Sequence, residues 1–326
     1  MADNTGIPNR VSGKRIEIIV PCYNEEQCIE AFFDETSKVL DCLEGYTYSF
    51  LYINDGSKDS TLSKIKSLVD RYGDDKVKYI SFARNFGKEA AIYAGFENSI
   101  GDYVALMDAD LQHPPTLLPQ MIEKIEGGHD CCGARRISRK GEPVIRSFFS
   151  KAFYRIINNI TAMNLVQGGS DYRMMTKQMV KAIVSLSERE RFIKGIMSWV
   201  GFDTVWISYE NVERYAGTTK WSFMGLIRYA WHGFISFATT PLRAVVWLGF
   251  IVVLSSVIYG IRLAYMSLAG IRPWQDTTTI LMLLVFFSGV VICILGIIGE
   301  YMARIYLELK GRPIYISKET NIQAES

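Results

Sequence analysis

Two carboxylates one residue apart, Asp108 and Asp110, close the apolar run Tyr103-Val104-Ala105-Leu106-Met107. A run of that length with turn residues behind it reads as a short buried strand. Alternate residues of an extended chain point the same way. Two oxygen ligands aimed together suit a divalent cation, which is often held by one or two carboxylates and completed by a substrate's phosphates. His113-Pro114-Pro115 then stops the strand, and a helix is expected from near Thr116. An Asp-x-Asp alone more often marks an exposed acidic turn, so its meaning rests on the elements around it.

Those elements alternate. Ile16–Val20 is β-rich and ended by Pro21, and Pro21-Cys22-Tyr23-Asn24-Glu25-Glu26 leads into a helix with Phe32, Phe33, Thr36, Val39, Leu40 and Leu43 at helical spacing. Tyr48–Ile53 reads as a second strand, with Asn54-Asp55-Gly56-Ser57 as its turn. Asp59 can cap the helix carrying Leu62, Ile65, Leu68 and Val69. Val77–Phe82 is a third strand, followed by Arg84-Asn85-Phe86-Gly87-Lys88 and a helix over 89–99. Strands alternating with helices imply a mainly parallel α/β sheet covered on both faces, with ligands beyond the carboxyl ends of the strands. There is no G-x-G-x-x-G after the first strand and no G-x-x-x-x-G-K-[ST] anywhere. A phosphate must be met another way, and a metal on Asp108 and Asp110 supplies it.

The charge balance of +2 leaves no nucleic-acid footprint. Six cysteines without a C-x-x-C pair read as reduced thiols. The first fifteen residues are polar and lack the apolar centre of a signal peptide. Residues 244–261 and 280–299 carry no charge, and spans of about 17–25 apolar residues can cross a bilayer. The two are read as a transmembrane hairpin. Arg304, Lys310, Arg312 and Lys318 behind it put both ends on the cytosolic side. Before it, Arg135, Arg136, Arg139, Lys140, Arg146, Lys151 and Arg155 interleave with Val144, Ile145, Phe148, Phe149, Phe153, Ile156 and Ile157. That pattern suits a membrane surface. Residues 224–238, rich in aromatics, read as a helix lying on the inner leaflet.

Four motifs in order, Pro21-Cys22-Tyr23-Asn24-Glu25, Asn54-Asp55-Gly56-Ser57, Arg84-Asn85-Phe86-Gly87-Lys88 and Asp108-Ala109-Asp110-Leu111-Gln112, resemble the signatures of glycosyltransferase family 2. With the hairpin behind them, the chain is similar to the polyprenyl-phosphate glycosyltransferases: dolichol-phosphate mannose synthase and, more closely, the bactoprenol glucosyltransferases. The resemblance implies a GT-A, Rossmann-like catalytic domain over 16–215, after a polar tail at 1–15. It implies a donor-closing loop and interfacial helix over 216–240, the hairpin within 241–303, and a cytosolic tail over 304–326.

The resemblance also implies the chemistry: inverting transfer of one sugar from a UDP-sugar to undecaprenyl phosphate at a bacterial-type cytoplasmic membrane. Pro21, Tyr23, Glu25, Asp55, Lys88, Asp108 and Arg214 would bind the nucleotide sugar. Asp108, Asp110 and Gln112 would hold Mg2+ or Mn2+, and Arg135, Arg146 and Ser150 would grip the lipid phosphate. Asp171 lines up with the proposed base, and Lys220 would add positive charge at the leaving diphosphate. Homo-oligomerisation, a flippase and a downstream membrane glycosyltransferase are the further partners expected. The chain departs from the pattern at Asn54, where many members have Asp, and at Ser170 and Tyr172, where bacterial relatives tend to have Gly and Phe. The rival readings are a non-catalytic nucleotide-sugar scaffold, a carrier of lipid-linked sugar and a processive polysaccharide synthase. Thr218-Thr219-Lys220-Trp221, where processive enzymes carry Q-x-x-R-W, argues against the last.

Overall fold

The computed structural model describes residues 13–136, 166, 168–186, 188–189, 191–210 and 277–322, and scattered positions between 249 and 270. In chain order the elements of the first part are β1 (Lys14–Cys22), α1 (Ile29–Leu40), β2 (Tyr46–Asn54), α2 (Thr61–Tyr72), β3 (Val77–Phe82), α3 (Lys88–Glu97) and β4 (Tyr103–Leu106). A 3-10 turn at Pro115–Leu117 then leads to α4 (Leu118–Glu126), β5 (Cys131–Arg136), β6 (Gly169–Thr176), α5 (Lys177–Ser185), α6 (Ile193–Trp199) and β7 (Thr204–Tyr209). The last two elements are α7 (Thr277–Leu309) and β8 (Ser317–Thr320).

The strands form one sheet in the order β7-β5-β6-β4-β1-β2-β3-β8. β4, β1, β2 and β3 are parallel, as a βαβ succession dictates. β6 runs antiparallel to β4 and β5, β7 pairs parallel with β5, and β8 lies antiparallel on the edge of β3. This is a GT-A-like sheet, mainly parallel, as the sequence implied. One face packs Ile16, Ile18, Val20, Phe50 and Tyr52 against Phe32 and Phe33 of α1 and Leu118 and Met121 of α4. On the other, Ile19, Leu51 and Ile53 are buried together with Ala90, Ala91 and Ala94 of α3.

The small residues of α3 set how closely it lies on the sheet. A Cβ on Gly95 would stand 2.3 Å from Cγ2 of Ile19 in β1. That close approach fixes Lys88, the first residue of α3, at the carboxyl edge of the parallel strands.

The structure differs from the sequence reading in two places. Pro21 lies inside β1, opposite Ile53, instead of ending it. The pairing with β4 stops at Ile19, so Pro21 has a strand neighbour on one side only, where a missing amide proton is tolerated. Gly168–Arg173, which carries Asp171, is mostly β6 in the middle of the sheet. Its Gly169, like Gly133 of β5, makes room for the ring of Trp206: added Cβ atoms would lie 2.8 and 2.7 Å from it. The tail expected after 304 begins with the last turn and a half of α7 and ends in β8.

By contacts the chain divides into two units, residues 1–230 with 313–326, and residues 231–312. In the first unit, β8 and its flanks are tied down closely. Asn321 Oδ1 accepts from the Tyr79 amide at 2.7 Å, Lys66 meets Glu319 at 2.7 Å, and Tyr315 donates to Glu97 at 2.7 Å while stacking on Phe82. In the second, the described positions between 249 and 268 are helical. Among the described residues one helix is long and apolar enough to cross a membrane, Phe286–Leu309, with a mean hydropathy of 2.0 and none of it buried. The expected helix over 224–238 and most of the expected span 244–261 lie outside the described residues.

Gly95→Ala should overpack the contact with Ile19. The expected cost is about 1–3 kcal/mol, read as a lower denaturant midpoint of the full chain.

Candidate active site

The carboxyl ends of β1, β2 and β4 carry the predicted motifs to one edge. Loops 21–26 and 54–61 interlock there. The Lys58 amide donates to Asn24 Oδ1, the Glu25 amide to Thr61 Oγ1, and the Ser60 amide to Glu26 Oε2. Asn24 is held at φ 52, which Asn tolerates better than most residues. Asp59 accepts from the amide of Thr61, the first residue of α2, but the N-cap position itself is taken by Ser60. Pro21, Tyr23 and Glu25 are partly buried on this edge. Asp55 is buried, and its two oxygens accept the amides of Phe86 (2.6 Å) and Gly87 (3.0 Å). Burial pushes its carboxyl above the usual range, while the two amides and Arg84 pull the other way. Its carboxylate therefore fixes the loop that presents Lys88.

Lys88 is the centre of the site. Its ammonium lies 2.7 Å from Asp108 Oδ1 and 2.9 Å from Asp171 Oδ2, bridging the end of β4 to β6. Burial alone would lower its pKa, but the two carboxylates outweigh it and raise it. Lys194 approaches the other oxygen of Asp171 at 3.4 Å, an ion pair that leaves Oδ1 without a hydrogen bond. Glu89 places this second lysine: it accepts the amide of Ile193, the first residue of α6, at 2.8 Å. Burial would raise the Asp171 carboxyl, yet Lys194 and Lys88 hold it well below the usual carboxylate range. Asp108 is also lowered, burial opposing Lys88.

A cavity of about 170 Å³ opens here, lined by Asp108, His113, Arg136, Ser170, Asp171 and Lys194. Arg136 faces it, donating to the Tyr209 hydroxyl at 3.0 Å, whereas Arg135, the predicted phosphate ligand, is exposed. His113 is buried, stacks on Tyr172 with centroids 5.3 Å apart, and has an Nδ1 without a partner. Burial pushes its pKa down, against the pull of Asp108 and Asp110. Arg146, Ser150, Arg214 and Lys220 lie outside the described residues.

Asp110 is buried on the turn after β4, and its Oδ1 accepts the Gln112 amide at 3.2 Å. Leu111 between them takes φ 56, a conformation costly for a bulky residue and frequent where a site constrains the chain. Among the described residues no three His, Cys, Asp or Glu side chains converge to hold an ion. Two carboxylates and an amide fit a hard cation that completes its shell from a substrate's phosphates.

The sequence reading missed Lys194, Arg136, His113 and Arg173. Lys194 alone left a signal, a cation inside the otherwise apolar stretch 192–200.

The Glycosyl transferase family 2 model matches residues 17–184, and the chain belongs to that family. It is 44% identical over 307 residues to CsbB of Bacillus subtilis, a protein named as a glycosyltransferase, covering 94% of this chain and 92% of that one. It is 37% identical over 307 residues to the SfII prophage-derived bactoprenol glucosyl transferase of Shigella flexneri, covering 94% and 98%. Among solved structures, glucosyl-3-phosphoglycerate synthase from Mycobacterium tuberculosis, in complex with Mn2+, uridine-diphosphate-glucose and phosphoglyceric acid, aligns with a TM-score of 0.45 at 15% identity. The alignment covers 67% of this chain and 76% of that one.

The Lys88 bridge has a pH signature. A carboxyl lowered in the folded state contributes stability that is fully present above the unfolded value of about 3.9 and is lost as pH falls through the folded value. Lys88→Met leaves Asp108 and Asp171 as facing like charges. One of them then takes a raised pKa, so that the variant loses stability as pH rises. The thermal midpoint of Lys88→Met should fall further below wild type at pH 8 than at pH 5; equal deficits would contradict the bridge.

Proposed function

We propose that this chain transfers a single sugar from a UDP-sugar to undecaprenyl phosphate at the cytosolic face of a bacterial-type cytoplasmic membrane, with inversion at the anomeric carbon. The observation that carries the reading is the setting of Asp171, bridged by Lys88 at 2.9 Å and approached by Lys194 at 3.4 Å. A carboxylate held ionised by two lysines is a poor base, because a general base works best with a pKa near the working pH. The acceptor must then bring its own charge, as a phosphate monoester with a second pKa of about 6 does. The near full-length identity to a protein named bactoprenol glucosyl transferase points to the same acceptor class.

The residues divide the work. Pro21, Tyr23, Glu25 and Asp55 frame the pocket for the nucleotide. Asp108, Asp110 and Gln112 are the ligands for Mg2+ or Mn2+, which when bound would neutralise the donor diphosphate. Lys88 stands between the donor and acceptor carboxylates and is placed to add positive charge at the diphosphate, with Arg214 and Lys220 assigned to the same task. Asp171 orients the acceptor side through its lysines, and Arg135, Arg146 and Ser150 are assigned to the lipid phosphate.

We read the membrane topology as a hairpin, a reading that parity supports. β8 belongs to the same sheet as β1–β4, so the stretch between β7 and β8 starts and ends on one side of any membrane it enters. On this reading it crosses an even number of times. Helix α7 accounts for one crossing, and the helical positions between 249 and 268 fall where the sequence places the other. Self-association of this hairpin, a flippase and a downstream membrane transferase complete the proposal.

The test uses full-length protein in bilayers with a panel of radiolabelled UDP-sugars and undecaprenyl phosphate. One sugar should become extractable into organic solvent, as a single-sugar lipid, and Asp110→Ala or excess chelator should abolish that. Label released without lipid product, or lipid carrying a sugar chain, would overturn the reading.

A further inference from the structure

The loop that presents Lys88, residues 83–87, joins β3 to α3, and Ala83, Arg84 and Asn85 on it are exposed. Asp55 holds its far end, through the amides of Phe86 and Gly87. Its near end, and the far end of the helix that follows it, are held by a segment from much later in the chain. β8 pairs with Ile80–Phe82, and the residues just before β8 reach both sides of the loop.

Tyr315 makes most of that connection. Its ring stacks on Phe82, the last residue of β3, with centroids 4.8 Å apart and planes 23° apart. Phe82 in turn meets Phe86 edge-on at 5.8 Å. The Tyr315 hydroxyl donates to Glu97, the last residue of α3, at 2.7 Å and accepts from Asn98 Nδ2 at 3.1 Å. Beside it, the Ile316 carbonyl accepts the amide of Ala83, the first residue of the loop, at 2.9 Å. Further out, Thr320 Oγ1 donates to the Tyr79 carbonyl at 2.7 Å and Asn321 Nδ2 to the Val77 carbonyl at 3.0 Å, which fix the register of β8 on β3.

One side chain therefore joins the strand before the loop to the end of the helix after it. Lys88 is the first residue of that helix and Glu97 the last. Coupling between distant groups is carried by packed side chains and rigid elements. A hydrogen-bonded helix of this length, about 15 Å, carries a displacement at Glu97 to Lys88.

We propose that Tyr315 is a positioning residue for the donor site: it clasps β3 to α3 across loop 83–87 and so holds the Lys88 ammonium at Asp108 and Asp171. The proposal deepens the reading above and rests on it only for the diphosphate that Lys88 meets. The clasp itself stands on the contacts around Phe82 and Glu97.

The test is a double-mutant cycle on the full-length chain in detergent, with calorimetric titration of UDP in the presence of Mn2+. Tyr315→Leu should weaken UDP about tenfold, the order expected when one charge-assisted contact is lost. The same change in a Lys88→Met background should weaken it by less than about twofold. Tyr315→Phe, which keeps the ring and loses both hydroxyl bonds, should recover part of the loss. Ile125→Ala, in α4 on the other face of the sheet, controls for plain loss of stability and should leave UDP affinity unchanged within about twofold. Unchanged UDP affinity in Tyr315→Leu, an equal loss with and without Lys88, or a loss as large in Ile125→Ala at a matched thermal midpoint would overturn the proposal. Should Tyr315→Leu not fold, Tyr315→Phe takes its place in the cycle with the same outcomes. Should wild type not bind UDP, the donor reading falls and the thermal midpoints of the same four chains decide. Independent sites add. A deficit of the double variant smaller than the sum of the single deficits then supports the clasp, and a deficit equal to the sum overturns it.

Discussion

One ammonium group, that of Lys88, lies between two carboxylates that the chain brings together from residues 108 and 171. Without a cation between them, Asp108 and Asp171 would repel each other, and burial would drive one to take up a proton. With Lys88 in place and Lys194 behind Asp171, both acids are held ionised in a largely enclosed setting. The chemistry open to the site follows. In the proposed reading Asp108 serves as an anion toward a cation, shared with Lys88, and Asp171 does not act as a base.

Much of the surrounding structure serves to put Lys88 at that point. Alanines and Gly95 let α3 sit hard against β1. Asp55 spends both oxygens on the amides just before Lys88. Gly56 lies so close to Arg84 that a Cβ would fall 2.5 Å from its carbonyl carbon, so the turn after β2 and the loop after β3 are locked together. Glu89, the next residue along, ties α3 to the start of α6 and so sets Lys194. A side chain that begins a helix is ill placed to be a cation, because the helix dipole is positive there. The two carboxylates make that position tenable.

The sequence made the parallel half of this arrangement legible. Val77–Phe82 emerged as a strand with the limits read from its β-branched and aromatic run. The turns after β1, β2 and β4 fell where the polar motifs stood. The antiparallel half was opaque for physical reasons. Gly168-Gly169-Ser170-Asp171 has the composition of a turn, and its strand character depends on Trp206, distant in sequence, needing room over Gly169. β8 is four polar residues, Ser317 to Thr320, whose pairing depends on the free edge of β3 and not on a pattern of their own. The choice between Arg135 and Arg136 is a choice of strand face, and two adjacent arginines carry no signal about which way each points. Lys194 and Arg173 acquire their meaning only from Asp171, which tertiary structure alone brings near them.

The central claim is that Asp171 works as a fixed anion and the acceptor arrives already ionised. It is tested most directly by the turnover rate of wild type and Asp171→Asn between about pH 5 and 8 with undecaprenyl phosphate saturating. The account predicts a slower variant that keeps the acidic limb of wild type, tracking the acceptor phosphate near pH 6. An acidic limb that vanishes in Asp171→Asn, with a loss of about 10²–10⁴-fold at the optimum, would mean that Asp171 takes a proton in the reaction and would contradict it.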